Sequence, residues 1–192
     1  MRKYITKTFL ALCIALGSVV FPIHANASEN VILPGRVSST DLSDVMSMKV
    51  IDQSGKSVKL IDLVSKNKLT MLNFWGTFCG PCTKEMPVLE KFSKKYADKG
   101  FGVIGLCVDV VDSKGKFDEE EHETAKDIVA TTGVTYPIVY PMPKMKETLN
   151  LVTFPTTYFV DSKGKVLQDG IFGARDEATW EKEIKNNLEK VK

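Results

Sequence analysis

The sequence predicts an α/β domain, a mixed sheet flanked by helices. Three observations predict it. Two near-continuous apolar runs, Leu69 to Phe74 and Phe101 to Val108, suit buried strands, the second a central parallel strand covered on both faces. Between them, Val88, Leu89, Phe92 and Tyr96 recur at near-helical spacing, which predicts an amphipathic helix over residues 83–98. Beyond them, strand and helix patterns alternate until a hairpin and a last helix close the chain, which makes the sheet mixed.

At 192 residues, 43% apolar and 26% charged, the chain has room for one domain with its own core plus an extension. It opens with Arg2, Lys3 and Lys7, then an uncharged run from Phe9 to Phe21, then the small-x-small pattern Ala25-Asn26-Ala27. The run is short for a membrane span, which needs ~20 apolar residues. Residues 1–27 therefore read as a secretory signal peptide cut after Ala27, the alternative being an anchor retained at the membrane. Residues 28–44 read as a linker, and the domain as residues 45–192. Cleavage takes three of the 26 basic residues and no acidic one, leaving 23 against 24. Nothing in that near-neutral balance suggests a nucleic-acid binder, which would need a dense basic face.

The elements follow in order. Met46 to Asp52 and Ser57 to Leu60 flank Gln53-Ser54-Gly55-Lys56, a hairpin with a Gly-containing turn. The Leu69 to Phe74 strand leads into the helix, which carries Pro87 and should kink there. After the Phe101 to Val108 strand, the charged stretch from Lys114 to Glu123 enters a helix ending near Thr131. Pro137 to Tyr140 is a short strand and Lys144 to Leu151 a short helix. Thr156 to Val160 and Lys165 to Gln168 flank a turn in a second hairpin. Asp176 caps a final helix that ends at Val191.

Once the leader is gone, Cys79, Cys82 and Cys107 remain, with His122 the single histidine. One CxxC pair and one leftover cysteine do not make a disulfide-stapled scaffold, and no second CxxC or HxxxH completes a zinc site. Cys107 lies in an apolar strand and reads as a buried, inert small hydrophobe. Glu119 to Glu123 around His122 reads as a solvated acidic helix start, and Met142 and Met145 as core filling.

The chemistry concentrates in Trp75-Gly76-Thr77-Phe78-Cys79-Gly80-Pro81-Cys82, at the junction of a buried strand and a helix. Free N–H groups at a helix start favour thiolate over thiol, and the thiolate is the attacking species in disulfide exchange. Cys79, nearest the helix end and expected to be exposed, reads as the nucleophile, and Cys82 as the residue that resolves the mixed disulfide. Glu85, three residues beyond Cys82, shares its helix face, where a partly buried carboxyl could pass a proton to or from Cys82.

The run Asn73-Phe74-Trp75-Gly76-Thr77-Phe78-Cys79-Gly80-Pro81-Cys82-Thr83-Lys84-Glu85-Met86-Pro87, with Phe154-Pro155-Thr156-Thr157-Tyr158-Phe159-Val160-Asp161 some seventy residues later, resembles the thioredoxin superfamily. Its finer match is to the exported TlpA/ResA-like branch, over roughly residues 45 to 190. The resemblance implies a thioredoxin fold with an N-terminal hairpin extension. It also implies a disulfide reductase with catalytic Cys79, Cys82 and Glu85, and a client surface of Trp75, Phe78, Gly80, Pro81, Phe154 and a cis Pro155. It implies no cofactor beyond the redox-active pair. The partners it implies are disulfide-containing protein clients, such as apocytochrome c or an exported methionine sulfoxide or peroxide reductase. A membrane protein of the thiol-transporting type would supply electrons to a monomer. Two departures stand out: Asn73 holds the place of the buried Asp of ordinary thioredoxin, and Phe78 that of a usual Trp. Two alternatives remain: a redox-inert binding or chaperone module, and a thiol peroxidase. The second lacks the Thr expected three residues before the reactive cysteine, where Gly76 stands.

Overall fold

The computed structural model describes residues 44–192; the leader and nearly all of the linker stretch lie outside the described residues. Strands β1 (Lys49–Asp52) and β2 (Ser57–Lys59) form the N-terminal hairpin, followed by helix α1 (Leu60–Val64). Then come β3 (Leu69–Trp75), α2 (Gly80–Lys95), β4 (Phe101–Cys107) and α3 (Glu119–Thr132). The chain continues through β5 (Ile138–Pro141), α4 (Pro143–Thr148), β6 (Thr156–Asp161), β7 (Ile171–Phe172) and α5 (Glu177–Lys190). One sheet results, in the order β2-β1-β5-β4-β3-β6-β7.

β3 lies between β4, to which it is parallel from Leu69↔Phe101 to Trp75↔Cys107, and β6, to which it is antiparallel. All its residues are buried. Because both faces are covered, its side chains cannot alternate between apolar and polar, which is why the run reads as continuous. Leu69, Met71 and Trp75 face the cluster built with Leu89, Phe92, Trp180 and Ile184; Leu72 and Phe74 face the opposite cluster with Leu60, Val64 and Met145. Asn73 falls between Met71 and Trp75 in the alternation and so points to the α2 side. A buried amide there needs polar company.

The first strand begins at Lys49 rather than Met46, the short helix α4 ends at Thr148 rather than Leu151, and three further boundaries differ from the sequence expectation. α2 begins at Gly80, three residues early, because Cys79 takes the cap position and Pro81, which needs no N–H partner, suits the first turn. It stops at Lys95, and a 3₁₀ turn over Ala97–Lys99 precedes Gly100 at φ 80°. The second hairpin is only begun: the Asp161 turn closes, but Val160↔Val166 is an isolated bridge. The chain then crosses Tyr158 at Gly170, where a Cβ would come within 2.7 Å of the ring, and β7 pairs with the start of β6 instead. Asp176 does cap α5, accepting the Thr179 N–H at 2.8 Å. Among the described residues no helix is long and apolar enough to cross a membrane.

Candidate active site

β3 ends at Trp75, and the next four residues turn the chain into α2. Cys79 N–H donates to the Gly76 carbonyl at 3.0 Å and closes that turn. Asp109, just past β4, clamps it from the side: its Oδ2 accepts the Thr77 N–H at 2.8 Å and the Thr77 hydroxyl at 2.6 Å. The same hydroxyl lies 2.7 Å from Glu121 Oε2 on α3, so its single proton serves one carboxylate at a time. Asp109 Oδ1 accepts the Cys107 thiol at 3.1 Å. Burial, then the neighbouring Asp109, pushes the Cys107 thiol far above its ordinary range, so it is a poor nucleophile. Asp109→Ala is expected to cost about 1–3 kcal/mol of stability, because the Thr77 N–H loses its acceptor. A chemical-denaturation midpoint equal to that of the parent protein would contradict this clamp.

Cys79 and Cys82 are joined by a disulfide. The Cys82 N–H points at Cys79 Sγ at 3.3 Å, a donor that favours negative charge on that sulfur. Cys79 is 6% exposed and Cys82 1%, so the expectation of an exposed Cys79 is corrected: it is the more open of two buried sulfurs. The reason is that Cys79 packs in the cluster of Trp75 and Met86, whereas Gly80 and Pro81 carry the exposed edge of the turn. Phe78 projects outward at 68% exposure and meets Phe154 edge to face, with ring centroids 5.7 Å apart. The Phe154–Pro155 peptide is cis, as the sequence reading expects, and the Pro155 carbonyl accepts the Gly173 N–H at 2.8 Å. Phe78 and Phe154 also border a shallow groove of about 420 Å³ with Val108, Lys146 and Leu151. Trp75 is fully buried, and its indole N–H has no partner among the described residues.

Glu85 is 4% exposed, one turn beyond Cys82. Its Oε1 accepts Asn73 Nδ2 at 3.0 Å; its Oε2 accepts the Trp180 indole N–H at 3.2 Å and the Arg175 N–H at 3.4 Å. Asn73 Nδ2 also donates to Thr157 Oγ1 at 3.1 Å, which ties β3 to β6 beneath the helix. Burial raises the Glu85 carboxyl above its ordinary range, and the donors from Asn73, Trp180 and Arg175 only partly offset it. Sequence reasoning found Glu85 and the replacement at 73 but missed Trp180, Arg175, Thr157 and Asp109. Trp180 carries a core signal, with Ile184 and Leu188 at spacing four, and nothing local says that its N–H meets a carboxylate. Among the described residues no group of three His, Cys, Asp or Glu side chains is placed to hold a metal.

Comparison with known proteins places this geometry. Residues 43–168 match the AhpC/TSA family. The chain is 34% identical to the thioredoxin-like protein YneN of Bacillus subtilis over 131 residues, covering 68% of this chain and 71% of that one. It is 29% identical to the thiol-disulfide oxidoreductase ResA of Bacillus thuringiensis over 161 residues, 83% and 82% of the two chains. Among solved structures it resembles the thioredoxin domain of a thiol-disulfide oxidoreductase from Bacteroides vulgatus, with TM-score 0.58 and 26% identity over 80% of this chain and 99% of that one. The seven-stranded mixed sheet is thus a thioredoxin fold carrying an N-terminal hairpin, and the chain belongs to the AhpC/TSA family, among its ResA-like thiol–disulfide oxidoreductases.

Proposed function

We propose that this protein is an exported reductase of protein disulfides, working through the Cys79–Cys82 dithiol. The observation that carries the reading is the bonded pair at the start of α2, with its more open sulfur beside the exposed Phe78 ring. In the reduced protein the Cys79 thiolate attacks one sulfur of a client disulfide, forming a Cys79–client disulfide and releasing the other client sulfur, which takes up a proton. Cys82 then loses its proton, attacks Cys79 Sγ and expels the second client thiol. The client gains two electrons and two protons, and the enzyme is left as the disulfide. Glu85, the buried carboxyl one turn away, accepts the Cys82 proton in the second step. Phe78, Phe154 and Pro155 form the ledge on which the client chain lies, while Gly80 and Pro81 leave the approach to Cys79 open and Trp75 backs the pair.

Export rests on the leader-like residues 1–27, and the electron supply on a thiol-transporting membrane protein that re-reduces the pair, acting on a monomer. Clients such as apocytochrome c, or a methionine sulfoxide or peroxide reductase, fit a reductant acting where disulfides persist. A peroxidase reading would need a Thr at 76. A Cβ there would lie 2.5 Å from the Phe78 ring, so that ring would have to move. The Cys82→Ser protein tests the proposal: it is expected to accumulate a client joined through Cys79 when exposed to extracytoplasmic proteins. If the same covalent adducts form with Cys79→Ser in place of Cys82→Ser, the proposed order of attack is wrong.

A further inference from the structure

We propose that Trp180, on the C-terminal helix α5, is a positioning residue for the dithiol, holding through its indole N–H the carboxyl that exchanges protons with Cys82. The inference rests on the reading of Glu85 as the proton partner and says how that group is controlled. Trp180 lies outside residues 43–168, the part of the chain that matches the family. Its side chain is wholly buried, on the same face of α5 as Ile184 and Leu188. A phenylalanine or leucine would serve that packing without a donor, whereas the indole brings to the ring edge an N–H that can only donate.

The two oxygens of Glu85 are treated differently. Oε2 accepts from Trp180 Nε1 at 3.2 Å and the Arg175 peptide at 3.4 Å, two N–H groups that can only donate. Oε1 accepts from Asn73, whose amide can turn over. Asn73 Oδ1 has no partner among the described residues, and the Thr157 hydroxyl, bonded to the same Nδ2 as Glu85, can donate or accept. When Glu85 is ionised, Asn73 presents its NH₂. When Glu85 is protonated, the proton sits on Oε1, Asn73 presents its oxygen, and the Thr157 hydroxyl reverses with it. Trp180 keeps Oε2 an acceptor throughout and so confines proton exchange to Oε1. An aspartate at 73 could not reverse in this way, because its ionised form has no donor.

The other titratable or charged groups near Glu85 are Cys82, one turn before it on α2, the Tyr136 phenol from the segment before β5, and the Arg175 guanidinium. That guanidinium is hydrogen-bonded to the Gly173 and Ala174 carbonyls. None of them replaces the indole on Oε2.

The test is the pH dependence of the midpoint potential of the full-length protein, read as the pH at which the slope bends, for the parent, Glu85→Gln, Trp180→Phe and the double variant. Removing one donor from a carboxylate is expected to move the Glu85-linked bend upward by about one pH unit in Trp180→Phe. In the Glu85→Gln background the same change at 180 should move nothing. A shift of equal size in both backgrounds, or no shift in folded Trp180→Phe, overturns the proposal while Glu85 keeps its role. A Glu85→Gln profile identical to the parent's removes the proton-partner reading itself. Should Trp180→Phe fail to fold, benzothienylalanine in place of tryptophan swaps the N–H for sulfur at nearly constant volume. The Trp75 indole, without a partner among the described residues, changes too, and the Glu85→Gln background separates the two.

Discussion

Cys79→Ser is expected to lose at least about a thousandfold in insulin-disulfide reduction, because a serine hydroxyl is scarcely ionised at neutral pH and cannot stand in for a thiolate. The fold should survive the change. Cys79 sits at the cap of α2 with its sulfur facing the Cys82 N–H at 3.3 Å, and serine is among the preferred residues at such a position. The lost bridge closes only a three-residue separation, so little of the unfolded chain's freedom was tied up in it. Far-ultraviolet circular dichroism like that of the parent, beside an activity at background, is the predicted pair of results. Equal activity in both proteins would remove the catalytic claim and leave a binding module on the same fold.

Glu85→Gln is expected to slow turnover about tenfold to a hundredfold at neutral pH and to flatten its pH dependence. The glutamine amide imitates the protonated acid: its oxygen can face Trp180 and Arg175, and its NH₂ can face a turned Asn73. The variant should therefore fold while lacking any group that takes a proton from Cys82. Stability should move the other way. Burial raises the carboxyl's native value above the ordinary glutamate value. Between those two values the native state binds more protons than the unfolded one, so stability falls as pH rises through that window. As pH rises through that window the parent takes on the cost of a buried carboxylate, whereas the glutamine protein carries none. Denaturant midpoints at pH 5 and pH 8 should therefore differ less in Glu85→Gln than in the parent; an unchanged difference would mean that the carboxyl is not what responds.

How far the sequence disclosed this molecule depends on the range of the interactions. β3, β4 and α2 are legible because continuous burial and helical periodicity are written in consecutive residues. Asp176 as a cap is legible for the same reason: its partner Thr179 is three residues away. The second hairpin misleads because a good turn at Asp161 is local, while the departure at Gly170 is set by the Tyr158 ring on the neighbouring strand. In the candidate site, the CxxC pair and Glu85 lie within one helical segment and can be found by spacing. The Asp109 clamp on Thr77 spans 32 residues and the Trp180 bond to Glu85 spans 95, so neither leaves a local pattern. Cys79 shows the same limit on a smaller scale. Its place at a helix start is local, whereas its burial is decided by Trp75 and Met86 packing around it.

The midpoint potential of Cys79–Cys82 at pH 7, equilibrated against a glutathione or dithiothreitol buffer, tests the central claim most directly. A reductant of extracytoplasmic disulfides predicts a value of about −250 mV or lower. A value near −120 mV, as in strong dithiol oxidants, would contradict it and make the same site a donor of disulfides.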